Sequence, residues 1–239
     1  MIEIIAEIGQ NHNGDMNLAK EMIRRVKEAG ADVAKFQVFD ARAVFSKENN
    51  PWYEYNLSTE LSRRQVELLA RECDEVGIEF MASAFDPERV AWLEECGVRR
   101  YKMASRSIHD KPLIEALIDT AKPLIVSLGH WSEEEFPAID TAGSVDFLYC
   151  VSKYPTPLEE VRLAEIDFNR YTGFSDHTVG LTASFAAMAR GARIIEKHFT
   201  LDHEMFGPDH LGSVDPDQLK TLCTWRDEIS VCLGEVAYA

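Results

Sequence analysis

The stretch GFSDHTVGLTASFAAMARGARIIEKHFT, residues 173–200, shows in one copy the unit from which the chain is built. Apolar runs typical of strands lie at 170–176 and 192–200, and a helical pattern at 179–191 lies between them. The runs are too apolar for a strand with one solvated face, which favours strands buried on both faces of a parallel sheet. The order strand, helix, strand therefore predicts an α/β fold.

The same alternation extends over the rest of the chain. Further strands are predicted at 2–9, 31–37, 78–83, 99–105, 122–129 and 144–152. Further helices are predicted at 17–30, 59–77, 86–97, near 110–120, 158–165 and 216–230, with a short one near 132–137. Eight strand–helix units in 239 residues predict a single (β/α)8 TIM barrel over residues 1–239. An open doubly wound sheet is the alternative, but no GxGxxG motif follows the first strand.

Composition excludes several classes of protein. No run approaches the roughly 20 apolar residues that span a bilayer, and the N-terminal segment does not resemble a secretory signal. The five cysteines form no CxxC pair, which favours reduced thiols in a cytoplasmic protein over a zinc or disulfide framework. A net charge of −16 argues against a nucleic-acid partner but leaves a small anionic substrate open.

Polar side chains stand at the carboxyl end of nearly every predicted strand. They are Glu7, Lys35, Gln37, Ser83, Lys102, Ser105, Ser127, Ser152, Tyr154, Ser175, His177, Glu196 and His198. The loops after the strands of a TIM barrel build its active site. Random surface polarity would not favour these positions so consistently, so the pattern predicts an enzyme.

Two lysines and five serines of this set are suited to an anion. The ammonium groups of Lys35 and Lys102 and the hydroxyls of the serines can donate to a phosphate or a carboxylate. The five serines are Ser83, Ser105, Ser127, Ser152 and Ser175. The alternative is that each lysine pairs with a neighbouring carboxylate of the barrel.

His177 and His198 end adjacent strands, so their imidazoles can converge on one divalent cation. Two nitrogens with water or substrate oxygens suit Mn²⁺ or a similar open site, which would polarise a carbonyl. The alternative is two histidines that serve only as hydrogen-bonding residues.

Glu7 lies between apolar neighbours and is a general-base candidate. An ion pair with Lys35 is its alternative role, and the two roles are compatible.

Seven motifs resemble, in order, those of the sialic acid synthase family, which contains the N-acetylneuraminate, legionaminate and pseudaminate synthases. They are AEIGQNHNG (6–14), KFQ (35–37), YKMAS (101–105), YPTP (154–157), GFSDHTVG (173–180), EKHFTLD (196–202) and GPDHLGS (207–213). The resemblance runs from about residue 2 to 230.

The resemblance implies a transferase of carbohydrate biosynthesis. Such an enzyme condenses phosphoenolpyruvate with the open-chain aldehyde of an N-acetylated hexosamine, giving a 3-deoxy-2-ulosonic acid and phosphate. It implies that His177 and His198 bind Mn²⁺ or Mg²⁺ and that Glu7 and Glu196 handle protons. The implied phosphoenolpyruvate pocket comprises Lys35, Ser83, Lys102, Ser105, Ser127, Ser152, Tyr154 and Ser175. The implied sugar contacts are Asn11, Gln37 and Asp209.

The chain departs from the family pattern in four places. The sequence ends at Ala239, where family members continue into an antifreeze-like domain that covers the partner's site in a homodimer. A homodimer or a separate antifreeze-like lid protein is therefore the expected partner. The other departures are Leu128 and His130 after strand five, Tyr149 before Cys150, and Ser107 in place of an acid. We therefore expect the donor and metal sites to be retained and the acceptor side to be altered.

Two other functions fit the same residues. One is an aldolase or lyase that acts on a 2-keto acid without phosphoenolpyruvate, and the other is a non-catalytic sugar-binding subunit of a two-chain synthase. The lysine and serine set favours the condensation over the first. Glu7, His177, Glu196 and His198 together argue against the second. The aromatic residues of the long connection 39–58 predict either a sugar contact or a dimer contact.

Overall fold

Eight parallel strands close into a barrel in the computed structural model, which describes residues 2–234. The strands are β1 (Glu3–Gly9), β2 (Val33–Val38), β3 (Glu79–Ala84), β4 (Tyr101–Met103), β5 (Leu124–Ser127), β6 (Val145–Cys150), β7 (Gly173–Asp176) and β8 (Ile194–His198). Each strand pairs with the next in the sequence, and β8 pairs with β1. The predicted barrel and its eight strands are confirmed.

Helices on the outside connect most of the strands. They are α1 (Met16–Ala29), α2 (Ala41–Val44), α3 (Tyr53–Ser58), α4 (Arg63–Val76), α5 (Pro87–Glu95), α6 (Lys111–Asp119), α7 (Leu158–Val161), α8 (Thr182–Ala189) and α9 (Pro216–Cys232). Short 3₁₀ turns lie at Ser105–Ser107, Leu163–Glu165 and His210–Gly212. No helix within residues 2–234 is both long enough and apolar enough to cross a membrane.

Local capping explains where the helices begin and end. Asp15 caps α1 by accepting from the backbone N–H of Asn17 at 2.8 Å, and Gly30 ends it with a left-handed φ of 93°. The backbone N–H of Ser62 donates to Oε1 of Gln65 at 2.9 Å. This capping box starts α4 at Arg63, and the predicted helix over 59–77 is therefore shorter than expected at its amino end.

The predicted short helix near 132–137 is wrong, because this segment has no regular structure. Three consecutive glutamates repel one another, and Pro137 disfavours the helical conformation at Phe136. Phe136 instead packs against Phe147 and Tyr171, with ring centroids 5.0 and 4.6 Å away. The connection after β2 also differs from the prediction, since it folds into α2 and α3.

The interior of the barrel changes from apolar to polar within two residues along the strands. A buried cluster of Ile5, Val33, Met81, Ile125, Leu148 and Ile194 fills its middle. Two residues later on the same strands come Glu7, Lys35, Ser83, Ser127, Cys150 and Glu196, all of them buried. Residues two apart on a strand point to the same face, so the polar set lies directly above the apolar cluster. The apolar cluster thus closes the site from below.

Arg100 holds the opposite end of the barrel together. Its guanidinium donates to Glu79 on β3 and to Glu3 on β1, with N···O distances of 2.9 Å each. These contacts cross the amino ends of the strands and join parts of the chain that are far apart in sequence. Removing the guanidinium would leave the two carboxylates facing each other in a partly buried position.

We expect Arg100→Met to lower the free energy of unfolding by about 2–3 kcal/mol, because both carboxylates lose their counter-charge. Urea denaturation followed by circular dichroism measures this loss. Arg99→Met is the matched control, since Arg99 is the exposed neighbour of Arg100. Equal midpoints for the two variants would contradict the role given to Arg100.

Candidate active site

A cavity of about 50 Å³ lies above the apolar cluster, at the carboxyl ends of the strands. It is lined by Glu7, Lys35, Gln37, Ser83, Phe85, Lys102, Ala104, Ser105, Ser127, Cys150, Tyr154, Ser175, His177, Glu196 and His198. The lining includes both predicted catalytic glutamates, both predicted metal ligands and every predicted phosphoenolpyruvate residue except Ser152. We call it the inner cavity.

An outer cavity of about 550 Å³ opens above the inner one. The two share several residues, among them Gln37, Ser105, Tyr154 and His198, so a ligand can extend from one into the other. Amide and aromatic side chains dominate the outer lining, which includes Gln10, Phe45, Asn50, Trp52, Asn56, Arg106, His130, Ser152 and Asp209. Its size suits a larger molecule than the inner cavity can hold, and its amide and charged side chains can contact hydroxyl groups.

Lys35 lies between two carboxylates in the floor of the inner cavity. Its Nζ is 2.9 Å from Oε2 of Glu7 and 3.1 Å from Oε2 of Glu196. Burial alone lowers the pKa of Lys35, but Glu196 and Glu7 outweigh it, and the net effect raises this pKa. The ammonium group therefore stays charged. For Glu7 and Lys35, the sequence left open an ion pair as an alternative to a catalytic or anion-binding role. The structure contains this ion pair.

Lys102 has weaker compensation. Its Nζ donates to Oγ of Ser127 at 2.7 Å and to the Met103 carbonyl at 3.1 Å, and it lies 3.7 Å from Oε1 of Glu196. Burial lowers the pKa of Lys102, and nearby Lys35 lowers it further despite the attraction of Glu196. An anion bound here would add the missing counter-charge, which makes Lys102 the stronger candidate for an anion contact.

Glu196 links the two lysines to the serine set. Its Oε1 accepts from Oγ of Ser175 at 2.8 Å. Burial alone raises the pKa of Glu196, but Lys102, Lys35 and the Ser175 hydroxyl outweigh it and hold this pKa below its usual range. The carboxylate is therefore ionised and is a weak base while both lysines face it.

The remaining serines surround the same floor. Ser83 accepts from Nζ of Lys35 at 3.3 Å. Ser152 donates to Ser105 at 3.3 Å, and Ser105 also accepts from the backbone N–H of His130 at 2.6 Å. Ser83 and Ser127 therefore contact the lysines and Ser175 contacts Glu196, whereas Ser105 lines both cavities and Ser152 lines only the outer one.

The rings of His177 and His198 lie side by side, with centroids 5.9 Å apart. Nδ1 of His177 is 2.8 Å from the Val151 carbonyl, which can only accept, so Nδ1 carries the hydrogen and Nε2 keeps its lone pair. Burial, together with His198, lowers the pKa of His177 to about 4, so the ring is neutral near pH 7. A neutral ring oriented by a backbone carbonyl is the form in which histidine binds metals.

These two histidines fit an open metal site. Within residues 2–234, no group of three or more His, Cys, Asp or Glu side chains has the arrangement of a metal site. The protein would therefore supply two nitrogens, and water or substrate oxygens would complete the coordination. The Tyr154 ring lies beside both, with centroids 4.1 Å from His177 and 5.9 Å from His198. Tyr154 is thus placed against the histidine pair as well as in the predicted phosphoenolpyruvate pocket.

The three predicted sugar contacts are placed differently. Gln37 lines both cavities and donates to Oε1 of Glu7 at 2.8 Å, and Asp209 lines the outer cavity. Asn11 is fully buried and lines neither cavity. Its amide donates to the Phe199 carbonyl and to Oγ of Ser213, at 2.9 Å each, and so holds the segment after β8. The structure brings Gln37 and Asp209 to the cavities but not Asn11.

Several lining residues were not predicted. Phe85 directly follows β3 and Cys150 ends β6. A search for all side chains at the carboxyl ends of strands, and not only for polar ones, could therefore have found both. Asn50 and Asn56 belong to the region of α2 and α3, where no strand-end signal exists. Arg106 stacks on the Phe45 ring at 5.2 Å and donates to the Val44 carbonyl at 3.0 Å. Trp52 lines the outer cavity, which favours a ligand role for this side chain, whereas Tyr55 is buried and donates to the Gln10 carbonyl.

Comparisons with known proteins identify relatives. Residues 22–238 match the model of the NeuB family. The N,N'-diacetyllegionaminic acid synthase of Legionella pneumophila is 38% identical, over 97% of this chain and 73% of that protein. The human N-acetylneuraminate-9-phosphate synthase is 35% identical, over 92% of this chain and 67% of that protein. The solved structure of the N-acetylneuraminic acid (sialic acid) synthetase of Leptospira borgpetersenii, in complex with citrate, matches with a TM-score of 0.90. It is 34% identical, over 98% of this chain and 85% of that chain.

The site depends on a close approach at Gly129, which follows β5. A Cβ atom there would lie 2.5 Å from Sγ of Cys150 and closer still to Oγ of Ser152. We expect Gly129→Ala to push both side chains aside and to destabilise the protein by about 1–3 kcal/mol. Urea denaturation measures this loss. Gly212→Ala is the control, because its Cβ would meet nothing nearer than Pro155 at 3.8 Å. Equal stability of the two variants would contradict the tight packing.

Proposed function

Since the chain belongs to the NeuB family of sialic-acid-type synthases, we propose that it condenses phosphoenolpyruvate with an open-chain aldose. The acceptor would be an N-acetylhexosamine-like aldehyde, and the products would be a 3-deoxy-2-ulosonic acid and phosphate. One observation supports this most directly. A floor of two lysines and their serines lies under a histidine pair and opens into a larger cavity lined by amide and aromatic side chains.

The donor would bind in the inner cavity. Phosphoenolpyruvate carries a phosphate and a carboxylate, and Lys102 lacks a close carboxylate partner, so its ammonium group can contact one of these anions. Lys35 is already paired with two carboxylates, and it can turn towards the ligand while keeping one of them. The serine hydroxyls supply further donors at the same level.

A divalent cation such as Mn²⁺ or Mg²⁺, bound by His177 and His198, would act as a Lewis acid on the aldehyde of the acceptor. The acceptor would lie in the outer cavity, where Gln37 and Asp209 can contact its hydroxyl groups. Tyr154 lies against the histidine pair and limits the access of water to it.

The chain's carboxylates would move the protons. Carbon 3 of the enol attacks the aldehyde carbon, the aldehyde oxygen takes up a proton, and positive charge develops at carbon 2. Water adds at carbon 2 and gives its proton to Glu7 or Glu196. The carbon–oxygen bond to phosphate then breaks, the new hydroxyl at carbon 2 becomes the carbonyl, and its proton leaves with the phosphate. Glu196 becomes a better base when an anion draws the lysines away from it, since those lysines hold its pKa down.

We expect Lys102→Ala to weaken the binding of phosphoenolpyruvate by about 10–100-fold, because a charged hydrogen bond to a buried ligand contributes about 1.5–3 kcal/mol. Isothermal titration calorimetry of the purified chain measures this affinity. Lys111→Ala is the control, since Lys111 is an exposed lysine at the start of α6. Unchanged affinity in Lys102→Ala, or no binding by the unmodified chain, would contradict the proposed donor site.

We expect chelation with EDTA to stop the aldose-dependent release of phosphate from phosphoenolpyruvate and added Mn²⁺ to restore it. In His198→Ala, added Mn²⁺ should restore less than about 1% of the rate, because one of two protein ligands is lost. A phosphate-release assay with N-acetylhexosamines measures both effects, and circular dichroism checks the fold. A rate that neither EDTA nor the substitution lowers would contradict metal-dependent condensation.

A further inference from the structure

Each of the two histidines follows a charged residue that points out of the barrel. Side chains alternate along a strand, so Ser175 and His177 face the interior whereas Asp176 faces the helices. The same alternation on β8 places Lys197 outside. Asp176 and Lys197 stand opposite each other in the register of β7 and β8, and both are fully buried at 0% exposure.

These two residues form a dense network with Thr178 and Ser184. Nζ of Lys197 lies 3.1 Å from Oδ2 of Asp176 and donates to the Thr178 carbonyl at 2.5 Å. Oδ1 of Asp176 accepts from the backbone N–H of Thr178 at 2.8 Å, and Oδ2 accepts from Oγ of Ser184 on α8 at 2.5 Å. Both backbone groups of Thr178 are thus held by the pair.

The residues before and after His177 in the chain both belong to this network. The residue before it is Asp176, the residue after it is Thr178, and both are bound to Lys197, the residue before His198. The backbone of His177 is also fixed from the other side, since its carbonyl accepts from the Thr156 N–H at 2.8 Å. The outer face of the sheet thus links the residues on both sides of His177 to the residue before His198.

Stability alone does not account for a buried ion pair at this place. Removing two charges from water costs several kcal/mol, and an apolar pair of similar volume is often as stable or more stable. Apolar side chains, however, cannot hold the N–H and the carbonyl of Thr178. The charges also cancel each other, so they change the field inside the barrel little.

We propose that Asp176 and Lys197 form a positioning clamp that fixes the spacing of His177 and His198 and thereby sets the affinity of the divalent-cation site. This inference rests on the proposed function, in which the two histidines bind the cation. Groups behind metal ligands commonly change metal affinity by about 10–100-fold when they are removed.

The test is the double substitution Asp176→Asn with Lys197→Met, which removes both charges and leaves no unpaired ion in the core. Asn keeps an oxygen that accepts from the Thr178 N–H, and its NH2 can donate to the Ser184 hydroxyl, which then accepts, so the variant should fold. We expect Mn²⁺ to bind about 10–100-fold more weakly, measured by calorimetry and by electron paramagnetic resonance of free Mn²⁺. The affinity for phosphoenolpyruvate without metal should stay within about twofold, since Lys102, the main proposed anion contact, and Ser127 make no contact with the clamp in the network described.

Two further variants make the result specific. Asp32→Asn with Arg226→Met neutralises a second ion pair, where Nη1 of Arg226 lies 2.7 Å from Oδ2 of Asp32 near the amino ends of the strands. This control should bind Mn²⁺ like the unmodified chain. His177→Ala removes a ligand and should bind no Mn²⁺ at the site.

The outcomes separate the two ideas. If the unmodified chain binds no Mn²⁺, or His177→Ala binds it equally well, the proposed metal site is wrong and the clamp falls with it. If those two behave as expected and the Asp176/Lys197 variant keeps full affinity, the clamp alone is wrong. An equal loss in the Asp32/Arg226 control also overturns it. If the Asp176/Lys197 variant does not fold, Asp176→Asn alone replaces it, because it removes the ion pair and keeps an oxygen for the Thr178 N–H, and unchanged Mn²⁺ affinity there overturns the clamp.

Discussion

The ammonium group of Lys35 between Glu7 and Glu196 is the interaction on which the site depends. It joins β1, β2 and β8 at the level where the barrel interior turns polar, directly above a layer of aliphatic side chains. Two buried carboxylates this close together would repel each other without a cation between them. The position of that cation in turn leaves Lys102 the less compensated of the two lysines. This unequal division of charge makes Lys102 the candidate contact for the anion in the proposed function.

The two faces of the sheet make different contacts in the region of β7 and β8. The inner face carries Ser175, His177, Glu196 and His198, which face the cavity. The outer face carries the buried Asp176–Lys197 pair, which ties the same strands to each other and to α8. Because neighbouring residues point to opposite faces, one short sequence can supply both a ligand and its support. In the proposed function, the consecutive pairs Asp176-His177 and Lys197-His198 would each supply a metal ligand and its support.

Membership of the NeuB family and the geometry of the site agree on the class of chemistry, and the outer cavity is where this chain would choose its acceptor. Its lining draws on α3, on the loop before it and on the residues after β4, β5 and β8. Loops of this kind vary while the barrel stays constant, which is how one fold supports different substrates. Arg106 and His130, which line this cavity, are held by their own contacts to Phe45 and Ser105.

Much of the fold could be read from local patterns. Apolar runs separated by helical periods gave eight strands, and polar residues at strand ends indicated the inner cavity, because alternation and strand direction are local properties. The short helix near 132–137 was predicted from composition, but the proline and the packing of Phe136 prevent it.

By itself the sequence determined the barrel, the edge that carries the chemistry and the residue types that meet there. Only the tertiary structure decided which of them touch. It placed Asn11 behind the site, set Tyr154 against the histidines, gave Lys35 two carboxylates and Lys102 a more distant one, and formed the outer cavity from α3 and neighbouring loops. The physical reason is that distances across a barrel depend on its closure and on the stagger between strands, which no single segment contains.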